Sequence, residues 1–236
     1  MIDSSNNKYL HYLEILQGSD FFNTINATSL SEMLRKMRPV KWPSKTFRNG
    51  SSTASHIHFI ISGRLKVYQV NPVTDREHII FILSRGDLFD LLLLLDNKPH
   101  EIFWEALDDM ELLKIPLTEM QNWIVAHPEI NKTLLNYVGK RMRQLETIAT
   151  DISLHNTLIR LTNLLLANIN GKTNKLQLIN NLPNDEIAGL IGTTRAVVNR
   201  HIQELKKCGA ITVHRKAIDV KDIETLLSIA EDKYCL

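Results

Sequence analysis

The stretch from Asn184 to Arg215, NDEIAGLIGTTRAVVNRHIQELKKCGAITVHR, decides the fold. Its apolar residues fall into two helical sets with a glycine between them. Ile187, Leu190 and Ile191 form one face of a first helix. Asn184 is placed to cap that helix, and Glu186 lies in its first turn, where the helix dipole favours an anion. Gly192 permits a tight turn, and Thr193 or Thr194 can cap a second helix. Val197, Val198, Ile202 and Leu205 then pack inward. The following segment, Gly209 to Ile218, reads as a short hairpin.

This arrangement leaves Arg195, Ala196, Asn199, Arg200 and Gln203 on the outer face of the second helix. A recognition helix offers its N-terminal outer residues to base edges in the major groove of double-stranded DNA. Arg bonds guanine through two atoms, and Asn or Gln bonds adenine in the same way. Thr193, Thr194 and His201 suit phosphate contacts, and Arg215 and Lys216 at the hairpin tip suit the DNA backbone. From Gly192 to Lys216 six cations face one anion, Glu204, a local balance of +5, whereas residues 1–150 carry 17 charges of each sign. A solvated helix pair with ordinary surface cations explains any one of these features. The turn glycine, the caps, the bare outer face, the basic patch and the hairpin together point to DNA.

N-terminal to this unit, Leu158, Leu161, Leu164, Leu165 and Ile169 share a helical face. Asn156 is a natural N-cap for it, and Gly171 a natural C-cap. A longer helical pattern runs from about Thr118. Ile130, Leu134, Val138, Arg141, Leu145, Ile148 and Ile152 recur every three or four residues, with one Arg on an otherwise apolar seam. So narrow a stripe suits a second copy of the same helix better than a broad sheet, so a homodimer is expected through Leu134, Val138, Arg141, Leu145, Ile148 and Ile152. Packing on the chain's own sheet is the alternative.

Residues 40–115 read differently. Short apolar runs (58–61, 65–70, 78–83, 110–115) alternate with Gly50, Gly63, Asn71-Pro72 and Gly86. Strands at that spacing, with no helix between, predict an antiparallel sandwich or roll. The apolar run Leu91 to Leu95 is expected to be a buried short helix of that roll, ahead of an apolar effector pocket. Residues 8–38 are helical by periodicity, ending at Pro39 and Pro43.

The whole chain has 236 residues, 28 Lys+Arg, 26 Asp+Glu and 44% hydrophobic residues. That is enough to bury a real core, in an α+β chain of one large or two small domains. Two cysteines, Cys208 and Cys235, cannot form a disulfide framework or a four-cysteine cluster. The longest apolar run is too short to span a membrane, and the N-terminus lacks the order of a secretion signal. A cytoplasmic protein without a membrane partner is expected.

The sequence resembles the Crp/Fnr family of bacterial transcription regulators over nearly its whole length. The resemblance rests on Phe59-Ile60-Ile61-Ser62-Gly63-Arg64-Leu65-Lys66-Val67, on Gly86-Asp87-Leu88-Phe89, on the long helix and on the winged helix-turn-helix. It implies an N-terminal antiparallel β-roll, jelly-roll-like, that senses an effector (residues 1–126), a long dimerisation helix (127–154) and a C-terminal winged helix-turn-helix (155–236). It further implies a dimer on near-palindromic DNA and contact with RNA polymerase. In cyclic-AMP-binding members the recognition helix carries Arg, Glu and Arg. Arg195 and Arg200 match the two arginines and Ala196 replaces the Glu, so the half-site is expected to differ.

The effector signature departs further. Nucleotide-binding members follow the Gly-Asp-Leu-Phe run with Gly-Glu and, about ten residues on, Arg-Ser. Here stand Asp90-Leu91 and Glu101-Ile102, so a phosphate would meet a carboxylate in place of a guanidinium. Phe89, Leu91, Glu101, Ile102, Arg141 and Leu145 are the positions where the resemblance places the effector pocket. Cyclic AMP and cyclic GMP are therefore not expected to bind productively. An iron–sulfur sensor needs four cysteines, three near the N-terminus, and nothing in the spacing of the histidines marks a haem ligand. No cofactor and no resident metal are expected.

Two rivals compete. Gly50, followed by His56-Ile57-His58, resembles the opening of the metal-binding motif of cupin enzymes. Two histidines two apart on a strand share a face, but the motif's later Glu and third His are missing, so no catalytic residue is assigned. A sensor that has lost DNA binding is opposed by the intact Arg195 and Arg200 face. Glu204, one turn after Arg200, could hold that Arg back only weakly.

Overall fold

The computed structural model describes residues 7–171, 173–214 and 217–231. It opens with α1 (Asn7–Gln17), which buries Tyr9, Tyr12, Ile15 and Leu16. Next is α2 (Ala27–Lys36), whose N-cap Asn26 accepts a hydrogen bond from the Ser29 amide and whose last turn carries Arg35 and Lys36. Asn is among the best N-caps, and cations suit the negative end of the helix dipole.

The roll follows. One sheet contains β1 (Arg38–Trp42), β8 (Met110–Pro116), β3 (His56–Ser62) and β6 (Leu88–Phe89), in that order. The other contains β2 (Phe47–Asn49), β7 (Phe103–Ala106), β4 (Leu65–Val70) and β5 (Glu77–Leu83). The paired registers are antiparallel. Alternation along the strands makes two cores. Ile57, Phe59, Leu113 and Ile115 pack with Phe21, Phe22, Met33 and Tyr137 from the helices. Ile60, Met110 and Leu112 meet Leu65, Val67, Leu83 and Trp104 between the sheets. The switch from Phe59 to Ile60 precedes an irregular register between Ile60 and Ser62. The sequence runs found β3, β4, β5 and β8 but missed β1, β2, β6 and β7, which are short or carry little alternation.

The roll contains the short helix expected at the apolar run and one 3₁₀ turn that was not expected. A 3₁₀ turn spans Gly50–Thr53, and α3 spans Leu91–Asp96. Asp90 caps α3 at a φ of 68°. Leu93 and Leu94 of the apolar run are buried, whereas Leu92 and Leu95 are exposed. The run is thus a helix with one face in the core.

After α4 (Leu117–Ala126) comes α5 (Ile130–Leu154). The chain divides into two compact units, one holding residues up to Gln69 with Ile80–Arg143, the other Val70–Ile79 with residues from Gln144 onward. The boundary falls inside α5.

The second unit contains α6 (Thr157–Ala167), α7 (Asn184–Ile191), α8 (Arg195–Lys207), β9 (Ile211–His214), β10 (Ala217–Val220) and α9 (Ile223–Ala230). Asn156 caps α6 as expected, accepting from the amides of Leu158 and Ile159, each at 3.0 Å. The C-terminus differs: α6 ends at Ala167 with Asn168 as C-cap, short of Gly171. Ile169 then bridges to Leu176, drawing the chain off the helix axis. Leu161, Leu165, Ile187, Val198, Ile202, Leu205, Leu226 and Ile229 are buried in this unit.

Candidate nucleic-acid interface

Gly192 ends α7 at a φ of 66°, a left-handed conformation that glycine reaches without strain. The amide of Thr193 donates to the Ala188 carbonyl at 2.9 Å, closing the turn. Asn184 does not cap α7. Pro183 holds that position, and the Asn184 side chain donates instead to Asn199 Oδ1 at 2.5 Å. Thr194 occupies the N-cap of α8 in extended backbone, but its hydroxyl makes no cap bond.

Val198, His201, Ile202 and Leu205 are the buried residues of α8. Thr194, Arg195, Ala196, Asn199, Arg200 and Gln203 are exposed, as the periodicity requires, and Thr193 is half-buried. The side chain of Arg195 is 65% exposed and lies 3.4 Å from Asp185; that of Arg200 is 64% exposed and lies 3.8 Å from Glu204. Both pairs are solvated and weak, so either guanidinium can leave for a stronger acceptor.

His201 is a correction. Expected at phosphate, it is only 6% exposed. Its Nε2 lies 2.8 Å from Thr157 Oγ1 and its Nδ1 2.7 Å from Glu204 Oε2, so it ties α8 to the start of α6. At four residues after Val197 and three before Glu204 it sits on the boundary of the apolar stripe, where periodicity alone does not assign a side.

The face is concave. A groove of about 730 Å³ runs between the start of α7, the outer side of α8 and the β9–β10 hairpin; Asn184, Asp185, Arg195, Asn199, Gln203 and His214 are among its lining residues. His214 and Ala217 are directly paired at the end of the hairpin. Arg215 and Lys216, expected at its tip, lie outside the described residues.

The six expected effector positions differ in burial. Phe89 and Ile102 are buried in the packing between the sheets with Trp104 and Leu83. Leu91 is half-buried, while Glu101 and Leu145 are exposed. Arg141 is engaged: it pairs with the carboxylate of Asp87, and its Nη2 donates to the Tyr137 hydroxyl at 2.7 Å. That hydroxyl also accepts from the Leu88 amide at 3.1 Å, and burial, then the charge of Asp87, push its pKa up to about 12. Sequence reasoning missed this network, although an Arg on an apolar seam requires a carboxylate somewhere.

The seam itself is redrawn. Leu134 packs on the helix-lined core and Arg141 turns to Asp87, so neither faces outward on the apolar stripe. Leu135, Met142, Leu145 and Ile152 are exposed, and Val138 and Ile148 are half-buried. Leu135 and Met142 lie one position beyond the expected Leu134 and Arg141. A 25-residue helix that packs on a sheet at one end turns its stripe by that much.

Comparison with known proteins gives two matches to family models. A cyclic nucleotide-binding domain covers residues 46–127, and a Crp-like helix-turn-helix domain covers residues 157–229. The chain belongs to the Crp/Fnr family. The CRP-like cAMP-activated global transcriptional regulator of Mycobacterium tuberculosis is 25% identical over 219 residues, spanning 90% of this chain and 97% of the relative. The global nitrogen regulator of Synechococcus elongatus is 25% identical over 213 residues, spanning 83% and 94%. A CooA mutant from Carboxydothermus hydrogenoformans has the same fold, with a TM-score of 0.70 and 24% identity over 84% of this chain and 90% of that one. This Crp/Fnr chain is a DNA-binding transcription regulator of that type, and the cupin reading is not favoured. Among the described residues no helix is long and apolar enough to cross a membrane.

Proposed function

We propose that this Crp/Fnr regulator works in the cytoplasm as a homodimer on near-palindromic double-stranded DNA, contacts RNA polymerase there, and answers to a signal other than cyclic AMP. The observation that carries the reading is the outer face of α8, where Arg195 and Arg200 stand solvated and Arg195, Asn199 and Gln203 line a concave groove. Arg195, Ala196, Asn199, Arg200 and Gln203 read bases, and Thr193 and Thr194 contact phosphate. Two copies related by a two-fold axis present two such helices to half-sites about 34 Å apart. The exposed apolar residues of α5 supply the surface for pairing.

The independence from cyclic AMP rests on the carboxylate of Glu101 at the phosphate position, on Leu145 at the base position, and on Arg141 being held by Asp87. Neither an iron–sulfur cluster nor haem enters this reading, and no catalytic residue is assigned.

Genome-wide capture of bound DNA, followed by footprinting of the enriched sites, tests the proposal. A shared two-fold motif protected in two half-sites is expected; DNA captured with no motif overturns sequence reading. Calorimetry with cyclic AMP is expected to show no binding heat, and a saturable micromolar site would overturn the second part.

A further inference from the structure

A second feature of the roll has none of the six effector positions in its lining. At the end near β1 and the 3₁₀ turn, a cavity of about 370 Å³ is lined by residues including Trp42, Arg48, His56, His58, Trp104 and Lys114. Cross-strand pairing builds it. Arg38, Lys114, His58 and Phe89 are successive partners across β1, β8, β3 and β6. Arg48, Trp104 and Val67 are successive partners across β2, β7 and β4. Directly paired residues share a face, so each row presents its side chains together.

Three observations point to a ligand. The lining contains no Asp or Glu, and among the described residues neither Arg48 nor Lys114 forms an ion pair. His58 is 96% buried by its 4% exposure, yet its Nδ1 has no hydrogen-bond partner, and the same holds for Nε1 of the buried Trp104. Trp42 and Trp104 lie ring on ring, 4.1 Å apart and within 15° of parallel, giving the cavity a flat aromatic wall.

We propose that this end of the roll binds a small planar organic carboxylate, its charge met by Arg48 and Lys114, its ring placed against Trp42 and Trp104, and His58 donating from Nδ1. A cavity of this size suits a ligand of one or two rings. Burial, then the charges around them, lower the pKa of both histidines: for His56 those charges are Lys114 and Arg38, and for His58 they are His56 and Lys114, against a hydrogen bond to the His56 backbone. That positive field has no anion in the cavity to offset it, and a carboxylate there would supply one. A neutral imidazole carries one N–H, which Nδ1 can offer. Oxygen acceptors on the ligand also answer the unpaired indole N–H.

Calorimetry and tryptophan fluorescence on the full-length protein test this with benzoate, nicotinate and indole-3-carboxylate. Benzamide serves as the uncharged control and acetate as the ringless one. At least one aromatic carboxylate is expected to bind saturably, about tenfold or more tighter than benzamide and acetate. Arg48→Gln combined with Lys114→Gln, two polar replacements, is expected to weaken it by about tenfold or more while the thermal melt is retained. Trp104→Phe is expected to weaken it and to remove much of the fluorescence change. If none of the three carboxylates binds, or binding survives the double replacement unchanged, the site is not there.

Discussion

The hydroxyl of Thr157, the first residue of α6, lies 2.8 Å from Nε2 of His201, 44 positions later on α8. The other ring nitrogen of His201 lies 2.7 Å from Glu204. The recognition helix is thus fixed to the start of α6 by one imidazole with both nitrogens in use. Replacing His201 by Ala removes both hydrogen bonds of a buried ring and should cost about 1–3 kcal/mol. Urea unfolding of the protein measures this. Stability equal to wild type would mean the contact contributes nothing net.

Lys66 is 2% exposed, and its Nζ lies 2.7 Å from Glu105 Oε2. Glu105→Ala removes that carboxylate from a buried ammonium and should destabilise the protein by about 3–5 kcal/mol. The paired change Lys66→Met with Glu105→Leu should recover most of the loss, since no charge is then buried. A double variant no more stable than Glu105→Ala would contradict this account.

His58 carries a pH dependence. Burial, followed by the charges of His56 and Lys114, lowers its pKa to about 3. In the unfolded chain the group titrates near 6.5. Below that pH the unfolded state takes up a proton that the folded state refuses until about 3. Stability is therefore full above about pH 6.5 and falls as pH drops through this interval, by on the order of a few kcal/mol. His58→Gln should flatten the acid side of the stability curve. An unchanged slope between pH 6 and 4, about those values, would place the proton uptake elsewhere.

Arg195→Ala and Arg200→Ala should each weaken specific DNA binding by about 1–3 kcal/mol and relax preference at one base pair. Competition binding against single-base operator variants reads both effects. Uniform weakening on all sequences would move the residue concerned to a phosphate contact.

Met142→Asp with Leu145→Asp places two carboxylates on the exposed apolar stripe of α5. Sedimentation should shift the protein from dimer toward monomer, while Lys132→Asp, on the same helix, should leave the dimer in place. A dimer that survives the double change would put the interface on another surface.

The helix-turn-helix was legible because its signals are local. Gly192 needs its left-handed turn whatever surrounds it, and the outer face of α8 follows from the helical period alone. The roll was legible as a class, from apolar runs cut by turn residues, but half its strands were not. The two residues of β6, Leu88 and Phe89, become a strand only because β3 lies beside them.

His201, Arg141 and Leu134 mark where local reading stops. All three sit at edges of helical stripes, and a neighbour decided the side each one took: Thr157 for His201, Asp87 for Arg141, the packed helices for Leu134.

From the sequence alone come the antiparallel character of residues 40–115 and the cationic helix face, because each depends on periods of two or 3.6 residues within one segment. The tertiary structure alone decided which histidine is buried, where the seam arginine turns, and how Arg48, Lys114, His58 and two tryptophans come to line one cavity. The cavity depends on register between strands far apart in the chain, where a one-residue shift in pairing would send every side chain to the opposite face, and the arginine depends on the contact of its helix with Asp87.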